Sequence, residues 1–142
     1  MQKKIEALIA TTNKKSIDFV DGMNIGFSSI TANQHTNFGV EQKENAVMVT
    51  TPTKGVGVNR NIGLALSDAE YVFIVDDDMI FYDNVGEILN DAIKNMPDAD
   101  VIIFNFDYVK DGEKIRSRIK ESKRLSLLNC PYKCRLYQTH CR

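Results

Sequence analysis

Residues 72–82 read VFIVDDDMIFY, so Asp76, Asp77 and Asp78 follow directly on four apolar residues. Adjacent carboxylates repel one another, and holding them against a buried strand costs free energy unless a cation compensates. Carboxylate oxygens are hard donors and select Mg²⁺, Mn²⁺ or Ca²⁺ over softer metals. A site of one or two carboxylates completes its shell with water and ligand phosphates. The chemistry this points to is a divalent ion joining the protein to a diphosphate. The plainer reading is a strand end that caps the next turn. One aspartate there would be ordinary; three in succession after an apolar run are not.

A second stretch, TKGVGVNRNIG over residues 53–63, has phosphate-binding character. Gly55 and Gly57 allow close approach of backbone to ligand. Lys54 and Arg60 bring positive charge, and a helix N-terminus with free N–H groups is expected to follow. Taken alone it reads equally as a flexible loop followed by a helix with a surface arginine. Neither a Walker loop nor G-x-G-x-x-G is present.

The elements that must position these groups are legible as apolar runs. Strands are expected over 5–11, 26–34, 46–51, 71–78 and 100–109, the second weakened by its serines and the fourth rich in β-branched and aromatic residues. The runs are continuous rather than alternating, which suits a parallel sheet covered on both faces. Helices are expected between them. Residues 16–25 carry Ile17, Val20 and Asn24 at near-helical spacing, with Ser16 as N-cap. Residues 58–68 place Ile62, Ala65 and Leu66 on one face. Residues 84–96 place Val85, Ile88, Leu89, Ala92, Ile93 and Met96 on one stripe, closed by Pro97. Alternating strand and helix gives an α/β domain with an open, mainly parallel sheet flanked by helices. Asp111-Gly112 within VKDGEK predicts a hairpin. In such sheets ligands bind beyond the carboxyl ends of the strands, where the aspartates sit.

The combination KGVGVNRNIGLALSDAEYVFIVDDDM resembles the nucleotide-binding half of family 2 glycosyltransferases of the GT-A (Rossmann-like) fold. There an R-N-x-G helix precedes an apolar strand ending in a DXD-type motif. The match runs from Gly55 to Gly63, then Ala65, then Tyr71 to Asp78, and the resemblance covers roughly residues 4–109. MNI…SSITANQ resembles a bacterial subgroup in which an Asn-Gln segment closes the second strand. The resemblance implies a nucleoside-diphosphate sugar donor, a UDP-sugar foremost, and inverting hexosyl transfer. Asp76 and Asp77 would meet the ribose and the metal, and Asp78 would coordinate Mn²⁺ or Mg²⁺. Thr11, Asn13, Asn33 and Gln34 would border the base, with Lys54, Gly55 and Arg60 near the nucleotide. Many members read D-x-D-D, and Val75 stands at the first of those positions here. A carboxylate base would deprotonate the acceptor hydroxyl. Asp107 and Glu113 are the acidic residues downstream, and each also reads as an ordinary surface carboxylate. The implied acceptor is a glycan or a lipid-linked glycan, in bacterial surface polysaccharide synthesis on the cytoplasmic side of a membrane.

The division expected is a nucleotide-sugar-binding domain over 1–109 and a basic segment over 110–142, read as an incomplete acceptor half. Members of the family run longer, so a truncated enzyme is expected. Hydrophobic residues at 43% and charged residues at 26% are those of a soluble globular chain. No apolar run approaches the ~20 residues that span a bilayer. The N-terminus reads as a strand rather than a signal peptide. The net charge of −1 hides an acidic body and a basic tail: residues 1–109 hold 8 Lys/Arg against 16 Asp/Glu, and 110–142 hold 10 against 3. That tail is a solvated face or a contact for an anionic surface such as membrane phospholipid. Cys130, Cys134 and Cys141, with His140, have poor spacing for a zinc module and read as incidental thiols. An uncovered sheet edge would favour a homodimer. The rival reading is a non-catalytic nucleotide-binding or regulatory module. Receiver-like and haloacid-dehalogenase-like alternatives fail on the position and pattern of their aspartates, and an acidic body disfavours nucleic acid.

Overall fold

A computed structural model describes residues 4–105 and 107–115. The chain divides into two units, described separately: the first through Asp100, the second Val101–Gln138, described to residue 115. The first holds strands β1 (Ile5–Thr12), β2 (Ser29–Gln34), β3 (Gly39–Lys43), β4 (Ala46–Thr51) and β5 (Tyr71–Asp76), with helices α1 (Val56–Leu66) and α2 (Val85–Asn95). The sheet order is β3-β4-β2-β1-β5; β4, β2, β1 and β5 run parallel, and β3 is antiparallel. This is the α/β architecture expected of the GT-A fold.

Alternation along β1 sends neighbours to opposite faces. Ala7 and Ile9 join the core cluster with Ile17, Val20, Met23, Met48 and Val75. Leu8, fully buried, faces α1: a Cβ built on Gly63 would stand 2.8 Å from its Cγ. Glycine is what lets α1 lie this close to the sheet. α1 packs over β1 and β2.

The expected helix over 16–25 is a 3-10 helix, Ile17–Met23. Its buried residues are Ile17, Val20 and Met23, spaced by three, which is the 3-10 period. Ser16 caps it as expected, accepting from the Asp18 amide, and Asn24 closes it in the left-handed region at φ 59°. The helix packs against β3 and β4. Lys43 on β3 ties it down, with its ammonium 2.8 Å from Asp18 and 2.5 Å from Asp21.

β3 was not foreseen, because GVEQK has a single large apolar residue. It is an exposed edge strand joined to β4 through a two-residue turn with Glu44 at φ 50°. The predicted helices over 58–68 and 84–96 are α1 and α2, but α1 corrects the expected face. Ala65 and Leu66 are exposed, and the buried residues are Asn59, Arg60 and Gly63. In α2 the stripe holds at its centre, where Leu89 and Ile93 are buried, while Ile88 and Met96 are exposed.

In the second unit the expected strand over 100–109 is not formed as such. Residues 101–105 have strand-like composition but belong to neither sheet among the described residues. Propensity alone makes no strand; its N–H and C=O groups must find a ladder. Strand structure begins only at β6 (Tyr108–Lys110), which pairs with β7 (Glu113–Ile115). The predicted hairpin is present, with Asp111 at φ 54° and Gly112 at φ 81°, the two positive angles an Asp-Gly turn of type I′ requires. The cysteines, His140 and the basic residues from 116 onward lie outside the described residues. Among the described residues no helix is long and apolar enough to cross a membrane.

Candidate functional site

The carboxyl ends of four parallel strands align in register. Thr11 stands beside Asn33, and Asn33 beside Thr50; Ala10 stands beside Asp76. The chain leaves β1 toward β2 and β4, then returns past β1 to β5. The crevice between β1 and β5 is therefore the topological switch point, where open α/β sheets bind ligands. The aspartate triplet leaves β5 at that crevice, turning through a bond from the Met79 amide to the Asp76 carbonyl at 3.3 Å.

The three aspartates differ in their surroundings. Asp76 accepts from Arg60 Nη2 at 2.9 Å; the arginine side chain is buried and the carboxylate is half exposed. Asp77 accepts from the Thr11 hydroxyl at 2.5 Å and pairs with Lys14 Nζ at 3.0 Å. Partial burial pushes the Asp77 carboxyl up. The Thr11 hydroxyl and the Lys14 ammonium pull it down further, so it rests below its usual 3.8. Asp78 is exposed and has no side-chain partner among the described residues.

The loop after β1 is fastened from β2. Asn33, fully buried, accepts from the Lys14 amide at 3.1 Å and donates to the Lys14 carbonyl at 3.0 Å and to Thr50 at 3.1 Å. Its side chain is thus committed to the protein. Asn13 is exposed in the left-handed region at φ 58°, and its amide donates to the Gln34 carbonyl at 2.8 Å. Gln34 donates to the Gly55 carbonyl at 2.9 Å, joining the end of β2 to the start of α1. Gly55, at φ 105°, precedes a helix with no side-chain N-cap. Lys54 beside it is exposed and has no side-chain partner among the described residues.

Asn59 was not singled out from the sequence. Buried on α1, it donates to the Thr11 carbonyl at 2.9 Å and the Ala32 carbonyl at 2.8 Å. It staples the helix to the ends of β1 and β2, and Arg60 next to it reaches Asp76. Lys14 was also missed. Its ammonium lies 4.7 Å from the centroid of the Phe19 ring as well as against Asp77. The available signals were an Asn-Arg pair on a helix bearing little apolar pattern, and a basic residue just past the first strand.

A cavity of about 260 Å³ lies elsewhere, lined by Ile17, Val20, Asp21, Lys43 and Ala46 among others. Ala46 begins β4, so this cavity borders the opposite strand end and contains none of the candidate residues. Asp107 and Glu113 belong to the second unit. No three His, Cys, Asp or Glu side chains gather as a metal cluster among the described residues.

A family model described as Glycosyl transferase family 2 matches residues 12–141. The match continues well past residue 109, where the resemblance read from the sequence ended. No curated protein and no solved structure matches the chain.

Proposed function

The chain belongs to glycosyl transferase family 2, and from that premise we propose that it binds a nucleoside-diphosphate sugar in the β1–β5 crevice for transfer to a hydroxyl acceptor. The observation that carries this reading is the convergence at one switch point of Thr11, Lys14, Arg60 and the aspartate triplet. Asn13 and Gln34 border the nucleotide from the neighbouring strand ends. Asn33 acts behind them, holding the Lys14 loop. Gly55 and the uncapped start of α1 offer backbone N–H groups to phosphate, and the exposed Lys54 offers charge.

The donor set suits Mg²⁺ or Mn²⁺. Asp78 is exposed with no side-chain partner among the described residues, Asp77 lies next to it, and two carboxylates with ligand phosphates are a usual complement for such ions. Asp77 and Asp78 would hold the ion. Bound there, a divalent cation supplies Lewis-acid stabilisation to the departing diphosphate. The protein's own part is to fix the carboxylates. Arg60 holds Asp76, while Thr11 orients Asp77 with one hydroxyl hydrogen bond. In transfer, the bond from the anomeric carbon to the phosphate oxygen breaks and the nucleoside diphosphate departs, the acceptor oxygen bonds that carbon, and a carboxylate base takes the acceptor hydroxyl's proton.

Residues 1–109 form the donor half in this proposal, with 110–142 a basic segment suited to an anionic membrane surface. Synthesis of a surface polysaccharide on the cytoplasmic face, from a UDP-sugar and a glycan or lipid-linked acceptor, fits both halves. Calorimetric titration of UDP and GDP, with and without Mn²⁺, tests the reading on the wild type and on Asp78→Ala. Metal-dependent binding of UDP that the substitution abolishes is the expected result. A folded protein that binds neither nucleotide overturns it.

A further inference from the structure

The Lys14–Asp77 pair places a protein cation on the carboxylate that the proposed function gives to a metal. Lys14 is held there from three directions. Its ammonium is 3.0 Å from Asp77 Oδ2. The same ammonium lies over the face of Phe19, a contact that favours a cation. Its backbone is clamped at both N–H and C=O by the buried amide of Asn33. The Lys14 side chain is about one-third exposed, as is that of Asp77, so the pair is neither sealed nor fully screened.

A divalent ion approaching Asp77 and Asp78 meets that ammonium. Lys14 and Thr11 both engage Oδ2 of Asp77, so an ion at this carboxylate is repelled by the ammonium and gains that oxygen only by displacing Lys14, and the displaced ammonium needs another anion. Asp76 is already held by Arg60. A diphosphate arriving with the ion supplies the missing anion. Resting on the proposed function, we infer that Lys14 makes metal and nucleotide bind as a unit. It blocks the ion alone at Asp77 and releases that carboxylate when a diphosphate gives its ammonium a new partner. Lys14 is a positioning residue in this account, and its effect is on the thermodynamic coupling between the two ligands, which is reciprocal.

The test uses the full chain and reads free Mn²⁺ by electron paramagnetic resonance, with and without UDP. The variants are Lys14→Met, which keeps the stem over Phe19 and removes the charge, and Lys14→Arg, which keeps both. Lys14→Met is expected to bind Mn²⁺ alone several-fold more tightly than the wild type, and the enhancement of Mn²⁺ binding by UDP is expected to shrink. Lys14→Arg is expected to stay near the wild type on both measures. Mn²⁺ affinity in Lys14→Met equal to or weaker than the wild type, while UDP still enhances it, overturns the inference and leaves the proposed function standing. Absence of Mn²⁺ uptake by the wild type and by both variants, with UDP present, overturns the proposed function and the inference with it.

Discussion

α1 and α2 are both eleven residues long, and they bury opposite kinds of surface. α2 buries Leu89 and Ile93, two members of a regular apolar stripe. α1 buries Asn59, Arg60 and Gly63, and leaves Val56, Val58 and Leu66 about half exposed. Hydrophobic burial explains the seating of α2, and nothing about its residues refers to a ligand. α1 is seated by hydrogen bonds to strand-end carbonyls and by the absence of a side chain at Gly63. Its buried face is spent on the crevice, with Asn59 fixing the backbone of β1 and β2 and Arg60 fixing Asp76. A helix that gives its inner face to polar groups is one whose position matters to chemistry.

Substitutions on the two helices separate these roles. The largest loss of stability is expected from Leu89→Ala, about 2–4 kcal/mol for removing a buried leucine. Urea unfolding measures it, and UDP affinity of the folded fraction should stay at the wild-type value. Asn59→Ala is expected to cost about 2–3 kcal/mol, because two carbonyls lose their donor in a buried place. Unlike the first variant it should also weaken Mn²⁺-dependent UDP binding, since it frees the strand ends that carry Thr11. Equal effects of the two variants on UDP binding would remove the distinction between the helices.

The smallest effect concerns acid. Asp77 sits below its usual 3.8 in the folded chain, so its ionised form stabilises the fold. That contribution is complete above the unfolded value of 3.8 and is lost as pH falls below it through the lower folded value. Asp77→Asn should therefore show a shallower loss of thermal stability below about pH 4 than the wild type. Asp18 is also lowered, chiefly by its hydrogen bond from Lys43. It is exposed, and pairs of that kind contribute little. Asp18→Asn should follow the wild-type acid profile.

The same contrast explains what was legible in the sequence. α2 was readable because period and hydrophobicity agree, and β1, β4 and β5 because continuous apolar runs become buried parallel strands. The aspartate triplet and the R-N-x-G helix were readable as a motif. The face of α1 was not, since Ile62, Ala65 and Leu66 satisfy a helical period while the real contacts are a buried amide, a guanidinium and a missing Cβ. β3 escaped because an edge strand hydrogen-bonded on one side needs no apolar run. Residues 101–105 misled in the opposite sense, with strand composition and no described ladder. Lys14 and Asn33 meet across 19 positions, a pairing no local pattern encodes.

In the proposed function the donor's diphosphate sits where β1 and β5 part. Paramagnetic broadening of backbone amide resonances by Mn²⁺ in the presence of UDP tests it most directly. Broadening is expected to centre on Thr11, Lys14 and Asp76 to Asp78 and to fade toward Lys43 and Ala46 at the opposite end of the sheet. Broadening centred on Lys43 and Ala46, or none at the aspartate triplet while UDP and Mn²⁺ are bound, would contradict it.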